Sequence, residues 1–168
     1  MSVQVLVVMG VSGTGKTTLA QNLSRTLGWP MAEGDDLHSD ANRAKMAAGI
    51  PLTDADRWPW LRRIRAWIDS RLESGEPGVI TCSALKRSYR DVLRAPGVVF
   101  VHLDGDRAVL ADRLGRRRGH YMPPSLLDSQ LATLEPLGPD EDGIVVRIGG
   151  TPEEELDQAL DALRGRLG

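Results

Sequence analysis

Residues Gly10 to Thr17 read "GVSGTGKT", a glycine-rich run that ends in a lysine and a hydroxyl residue and satisfies G-x-x-x-x-G-K-[ST]. Chemistry of one kind suits that spacing. Glycines let a loop wrap its backbone N–H groups around phosphate, and a helix starting at the lysine adds its partial positive end. The expected nucleotide contacts are Gly10, Val11, Ser12, Gly13, Thr14, Gly15, Lys16, Thr17 and Thr18. Lys16 is placed to reach the β- and γ-phosphates of the nucleotide and the Thr17 hydroxyl to ligate Mg2+. The acceptor stays open at this point: water in an ATPase or GTPase, a small molecule in a kinase. No guanine-reading "NKxD" is present.

A second run, "GDDLHSD" from Gly34 to Asp40, sets three aspartates and a histidine within seven positions. It can be a solvated turn, a magnesium site, or the base that deprotonates a substrate hydroxyl. If Met31, Glu33 and Asp35 share a strand face, Asp36 points the other way into solvent, because side chains alternate along a strand. Asp40 is then expected to cap the next helix.

These residues need elements to hold them. "VQVLVVMG" reads as a buried strand ending at Gly10, and Leu19, Leu23 and Leu27 recur at helical spacing after Lys16. A short strand at Met31 to Glu33 leads into the acidic run, and a helix near Asp40 to Ala48 is closed by Gly49. Leu61, Ile64, Ile68 and Leu72 line a longer helix starting near Leu61, ended by Gly75 and Pro77 before the strand "GVITC". Then follow a helix at Arg87 to Leu93, the apolar strand "GVVFVHL", and a helix that Asp106 can cap. "DGD" at Asp104 to Asp106 is read as that cap, with a second magnesium carboxylate as the alternative. A helix from about Ser125 to Leu134, the strand "GIVVRI", and a helix carrying Leu156, Leu160, Leu163 and Leu167 complete the chain. Alternating strands and helices give a three-layer α/β domain with a parallel sheet, and one domain over 1–168. Trp60 and Trp67, seven apart, share a helix face; core packing is the default, a dimer interface the competitor.

Composition narrows the function classes. With 168 residues, 41% hydrophobic and 26% charged, the chain is of ordinary globular type. A formal charge of -2 argues against a nucleic-acid or membrane-surface partner. The single cysteine, Cys82, allows no intrachain disulfide, fits a reducing cytoplasm, and is expected to be buried. No apolar run approaches the roughly 18 residues of a membrane span.

"MGVSGTGKT", "GDDLHSDANRAKMAAGIPLTDADRWPWL", "CSALKRSYRDVLR" and "RRGHYMPPSLLDSQLATLE" occur in this order between Met9 and Glu135. In that combination the chain resembles gluconate kinases, the small gluconokinases of the P-loop kinase group. Ser39 stands where that family commonly has proline, and Tyr121 where it has phenylalanine. The resemblance implies a five-stranded sheet of order 2-3-1-4-5 with a lid at about 116–124, and a homodimer. It also implies transfer of phosphate from ATP to the 6-hydroxyl of D-gluconate, giving 6-phospho-D-gluconate and ADP. Within it, Asp35 follows the "GDxLH" position as the base, and Arg113 and Arg117 take the arginine positions of the lid. Their four-residue separation puts both on one helical face if the helix reaches Arg117, so one is expected to stack on adenine and the other to clamp phosphate.

A sugar acid carries one carboxylate and several hydroxyls, so its pocket needs a cation and polar partners. Arg57, Lys86 and Arg90 are the candidate cations; His38 and Gln130 are candidate hydroxyl partners. "GGTPEEE" follows the last strand, where Pro152 can lie against adenine while Thr151 caps the final helix. A shikimate kinase-like enzyme is the alternative, although a glycine run is wanted where this chain has "CSALK". A nucleotide-binding regulatory module is a further one.

Overall fold

Five apolar segments pair into one parallel sheet. In the computed structural model, which describes residues 3–11, 13–116 and 124–167 (main chain alone at 114–116 and 124–126), the strands are β1 (Val5–Met9), β2 (Met31–Glu33), β3 (Gly78–Thr81), β4 (Val98–Asp104) and β5 (Gly143–Arg147). Their order is β2-β3-β1-β4-β5, as the resemblance implied. Register sets Val8 beside Thr81, Met9 beside His102 and Glu33 beside Thr81, so the carboxyl ends of β1, β2 and β3 finish together. In such a sheet, ligands gather outside these ends.

The helices are α1 (Lys16–Leu27), α2 (Asp40–Ala47), α3 (Asp54–Ser74), α4 (Arg87–Leu93), α5 (Arg107–Arg116), α6 (Pro124–Thr133) and α7 (Pro152–Ala162). Strand alternation divides the core. Val5, Val7, Met9, Ile80 and Phe100 face Trp60, Leu61, Ile64 and Ile68 of α3 and Tyr89 and Leu93 of α4. On the other face, Leu6, Val8, Val99 and Val101 meet Leu19 and Leu23 of α1 and Ala159 and Leu163 of α7. A smaller cluster joins Val11, Leu85, Leu110 and Leu127 under α5 and α6. Among the described residues, no helix is long and apolar enough to cross a membrane.

Three local expectations are corrected. The long helix begins at Asp54, seven residues before Leu61, because Thr53 and Asp56 form a reciprocal capping box: Thr53 Oγ1 accepts from Asp56 N at 3.2 Å and Asp56 Oδ2 from Thr53 N at 2.9 Å. Pro59 lies one turn further in, and the single N–H it withholds, toward Ala55, does not stop the helix. Ser39, not Asp40, caps α2, its hydroxyl accepting from Asn42 N at 3.1 Å. The strand alternation meant to carry Asp35 ends at Glu33, since Gly34–Leu37 is a 3-10 turn.

Candidate active site

That turn is pinned on both sides of Gly34. Its N–H donates to Thr81 Oγ1 at 3.1 Å, and its carbonyl accepts from Trp60 Nε1 at 2.7 Å. The main chain runs so close to β3 that a Cβ on Gly34 would strike the Thr81 carbonyl oxygen. Asp35 follows directly and is exposed at the mouth of a cleft of about 390 Å3, large enough for a small ligand.

The cleft is lined by Gly13, Gly15, Lys16, Thr17 and Thr18 of the phosphate loop, Glu33 and Asp35, Thr81 and Cys82, and Arg113 of α5. Gly15 takes φ 89° as it opens α1, a left-handed conformation that favours glycine. Thr14 is buried and donates its hydroxyl to the Val11 carbonyl at 2.8 Å, and Gly10 closes β1. Lys16 Nζ folds onto the loop's own carbonyls, Gly10 O at 2.9 Å and Val11 O at 3.2 Å. Ser12 and Arg117, and residues 117–123 of the lid expected at about 116–124, lie outside the described residues.

Glu33 is an acid of this cleft that the motifs did not single out. Its Oε2 accepts from the Thr81 hydroxyl at 2.8 Å, while Oε1 is buried with no partner. A charged residue at the carboxyl end of a short strand was the available signal. Among the described residues, no group of three or more His, Cys, Asp or Glu could hold a metal by itself. Mg2+ does not need one, because it is held by one or two protein oxygens together with phosphates and water. Thr17, Glu33 and Asp35 are hard oxygen donors of that kind, and the unpartnered Glu33 oxygen fits such a group.

Cys82 is buried as expected, and burial pushes its thiol up to about 12, so it stays protonated. His38 is 7% exposed and stacks on Trp60 with centroids 4.1 Å apart. Its Nδ1 lies 3.2 Å from Asn42 Nδ2; an amide nitrogen only donates, so Nδ1 accepts and Nε2 carries the hydrogen. Burial holds the ring's pKa below its ordinary value, with Asp35 pulling the other way and Arg57, Arg43 and Arg63 adding to the lowering.

The expected substrate cations separate into two groups. Arg57 and Lys86 converge on Tyr89, each with its charge 5.5 Å from the ring centroid. Arg57 Nη1 donates to the Tyr89 hydroxyl at 3.1 Å, and that hydroxyl donates to Asp54 Oδ1. Lys86 Nζ reaches the same carboxylate at 3.2 Å. Hydrogen bonds from Tyr89 and then Lys86 lower the Asp54 pKa, and the bond to Asp54 raises that of Lys86. Both ions therefore keep their charge.

Arg90 does not join them, and its expected substrate role is corrected. It is 0% exposed, with Nε and Nη2 on Glu141 and Nη1 on the Ala84 and Leu85 carbonyls, so no donor faces the cleft. Gln130 sits half-buried on α6 and Pro152 is the first residue of α7 after its Thr151 cap; among the described residues, neither lines the cleft, nor do His38, Arg57 and Lys86, so Asp35 is the one expected substrate residue in its lining. Asp104 and Asp106 pair with Arg147, at 2.9 and 3.9 Å. Trp60 belongs to the core and Trp67 packs on its edge.

A phosphate loop between β1 and α1, on a 2-3-1-4-5 parallel sheet, defines a P-loop kinase fold. The shikimate kinase of Aquifex aeolicus shares that fold with a TM-score of 0.61 at 16% identity, over 96% of each chain. A family model described as an AAA domain matches residues 5–137. A gluconokinase of Gluconobacter oxydans is 55% identical over 94% of this chain and 88% of its own. The crystal structure of a gluconokinase from Sinorhizobium meliloti has a TM-score of 0.86 at 49% identity, covering 95% of this chain and 91% of that one. The chain belongs to the gluconokinase family and is a phosphotransferase.

Proposed function

We propose that the protein phosphorylates D-gluconate at its 6-hydroxyl with ATP and Mg2+, releasing 6-phospho-D-gluconate and ADP. The observation that carries this reading is one cleft at the sheet's carboxyl edge holding Asp35 together with Lys16, Thr17 and Arg113. Relatives named gluconokinase support the choice of acceptor.

Asp35 orients the 6-hydroxyl and takes its proton as the oxygen attacks the γ-phosphorus and the bond to the bridging oxygen of ADP breaks. Lys16 turns from its loop carbonyls to the phosphates; of Arg113 and Arg117, one meets the transferring charge and the other stacks on adenine. Thr17 would hold Mg2+, with the Glu33 carboxylate nearby, and the ion would supply positive charge to the phosphates. Arg57 and Lys86 receive the sugar-acid carboxylate, and His38 a hydroxyl. The P-loop backbone from Gly10 to Thr18, including Val11, Ser12 and Thr14, cradles the phosphates. Residues 1–168 act as one domain with a lid at about 116–124. A homodimer belongs to the same reading on the strength of the family resemblance, and a cytoplasmic location on that of the single cysteine; light scattering checks the dimer.

A coupled ADP-release assay over a panel of sugar acids and shikimate tests the reaction, and phosphorus NMR of the product locates the phosphate. Release stimulated by gluconate alone, with phosphate on C6, supports the reading. No stimulation by any acceptor would sink it.

A further inference from the structure

Arg113 is held from two directions by residues far away in sequence. Its Nη1 donates to the Thr14 carbonyl of the phosphate loop at 3.1 Å, and its Nη2 to Glu155 Oε1, in the first turns of α7, at 3.0 Å. A Cβ on Gly15 would come within 3.5 Å of the same Nη1, so the guanidinium lies directly against the loop. Arg113 also lines the cleft. Three elements, the loop, α5 and α7, thus meet at one cation.

Glu155 is an unusual residue for its place. It is 4% exposed on a face of α7 that otherwise packs Leu156, Ala159, Leu160 and Leu163 against the sheet. An apolar side chain there would bury at no electrostatic cost, whereas a carboxylate must be desolvated and needs a partner. Burial does push the Glu155 pKa above its ordinary value, and Arg113 is the group that opposes the shift. Fold stability alone does not call for an acid at this position.

We propose that Glu155 is a positioning residue for nucleotide binding, fixing the Arg113 guanidinium over the phosphate loop before ATP arrives. Arginine has four side-chain torsions, and freezing them during binding is costly. Held in advance between a carboxylate and a main-chain carbonyl, it brings much of that ordering ready-made. The effect is on nucleotide affinity, through Arg113, with no contact between Glu155 and substrate. The inference rests on the nucleotide part of the reading above and is independent of the acceptor.

The test is calorimetric titration with a non-hydrolysable ATP analogue and Mg2+, without gluconate, on the wild type, Glu155→Leu, Glu155→Gln, Arg113→Ala and the Glu155→Leu/Arg113→Ala double variant. Leucine suits the buried position, so the fold is kept; melting temperatures check this. Glu155→Leu is expected to weaken the analogue by roughly tenfold, about the effect of ordering one long side chain. Glu155→Gln, which keeps an acceptor oxygen, should lose less. In the Arg113→Ala background, Glu155→Leu should change nothing further. Wild-type affinity in Glu155→Leu, or an equal loss with and without Arg113, overturns the proposal. A wild type that fails to bind the analogue removes the nucleotide reading with it; lack of gluconate turnover alone removes only the acceptor.

Discussion

Arg90 and Glu141 form a closed ion pair inside the protein: Nε meets Oε2 at 2.5 Å and Nη2 meets Oε1 at 3.1 Å, with the two side chains 0% and 2% exposed. The remaining nitrogen holds the Ala84 carbonyl at 2.9 Å, and Ala84 sits at φ 45°, a conformation alanine seldom adopts. The pair therefore shapes the Cys82–Lys86 loop that carries Lys86. Burial opposes the Glu141 charge, and the Arg90 and Gly138 hydrogen bonds outweigh it, so the carboxyl lies below its ordinary range. Breaking the pair from one side, as in Arg90→Met, leaves that charge uncompensated and should cost about 3–5 kcal/mol in urea unfolding. Replacing both by apolar residues should cost far less. Equal losses in the single and double variants would contradict this account.

Asp35 is exposed, yet its position is set by Gly34 behind it. Asp35→Asn should lower turnover by about 10²–10⁴-fold, the usual worth of a general base, while ATP-analogue affinity stays near wild type. Gly34→Ala should mimic much of that loss by moving the turn, because its Cβ meets the Thr81 carbonyl. Steady-state kinetics with calorimetry read both. Wild-type turnover in Asp35→Asn would remove the carboxylate from the mechanism.

The strands and the phosphate loop were legible because both are local patterns, apolar runs bounded by glycine and a lysine at fixed spacing, whereas the strand order came from the family resemblance. The start of α3 was hidden by Pro59, which reads as a boundary, although Thr53-x-x-Asp56 spelled the cap. Arg90 read as a substrate cation since its partner, Glu141, is 51 residues away. Glu155 was invisible for the same reason, being 42 residues from Arg113. Pairings of this length are created by the fold and leave no periodicity to find.

Asp54 occupies Lys86 and the Tyr89 hydroxyl, which in turn occupies Arg57. Any substrate carboxylate received by those cations competes with it. The Asp54–Lys86 pair is largely exposed, so the competition is mild. Asp54→Asn should lower the gluconate KM a few-fold and leave the ATP KM unchanged, whereas Lys86→Met should raise the gluconate KM. A raised gluconate KM in Asp54→Asn would instead make Asp54 a ligand of the sugar acid.

His102 lies in the middle of β4, 3% exposed, with no partner for Nε2. Burial lowers its pKa from 6.5, Asp104 pulls upward and Arg90 downward, and the net shift is down. The unfolded chain therefore takes up a proton near pH 6.5 while the folded chain resists. Stability is full above that pH and declines as pH falls below it, until the folded ring itself is protonated. The slope from one such group is at most about 1.4 kcal/mol per pH unit. His38 is shifted the same way and adds to the decline. His102→Leu removes one of the two protons and sacrifices no hydrogen bond at Nε2. Urea unfolding at pH 5 and pH 7.5 should show a smaller stability difference for this variant than for the wild type. Identical differences would mean that His102 is protonated equally in both states, against its burial.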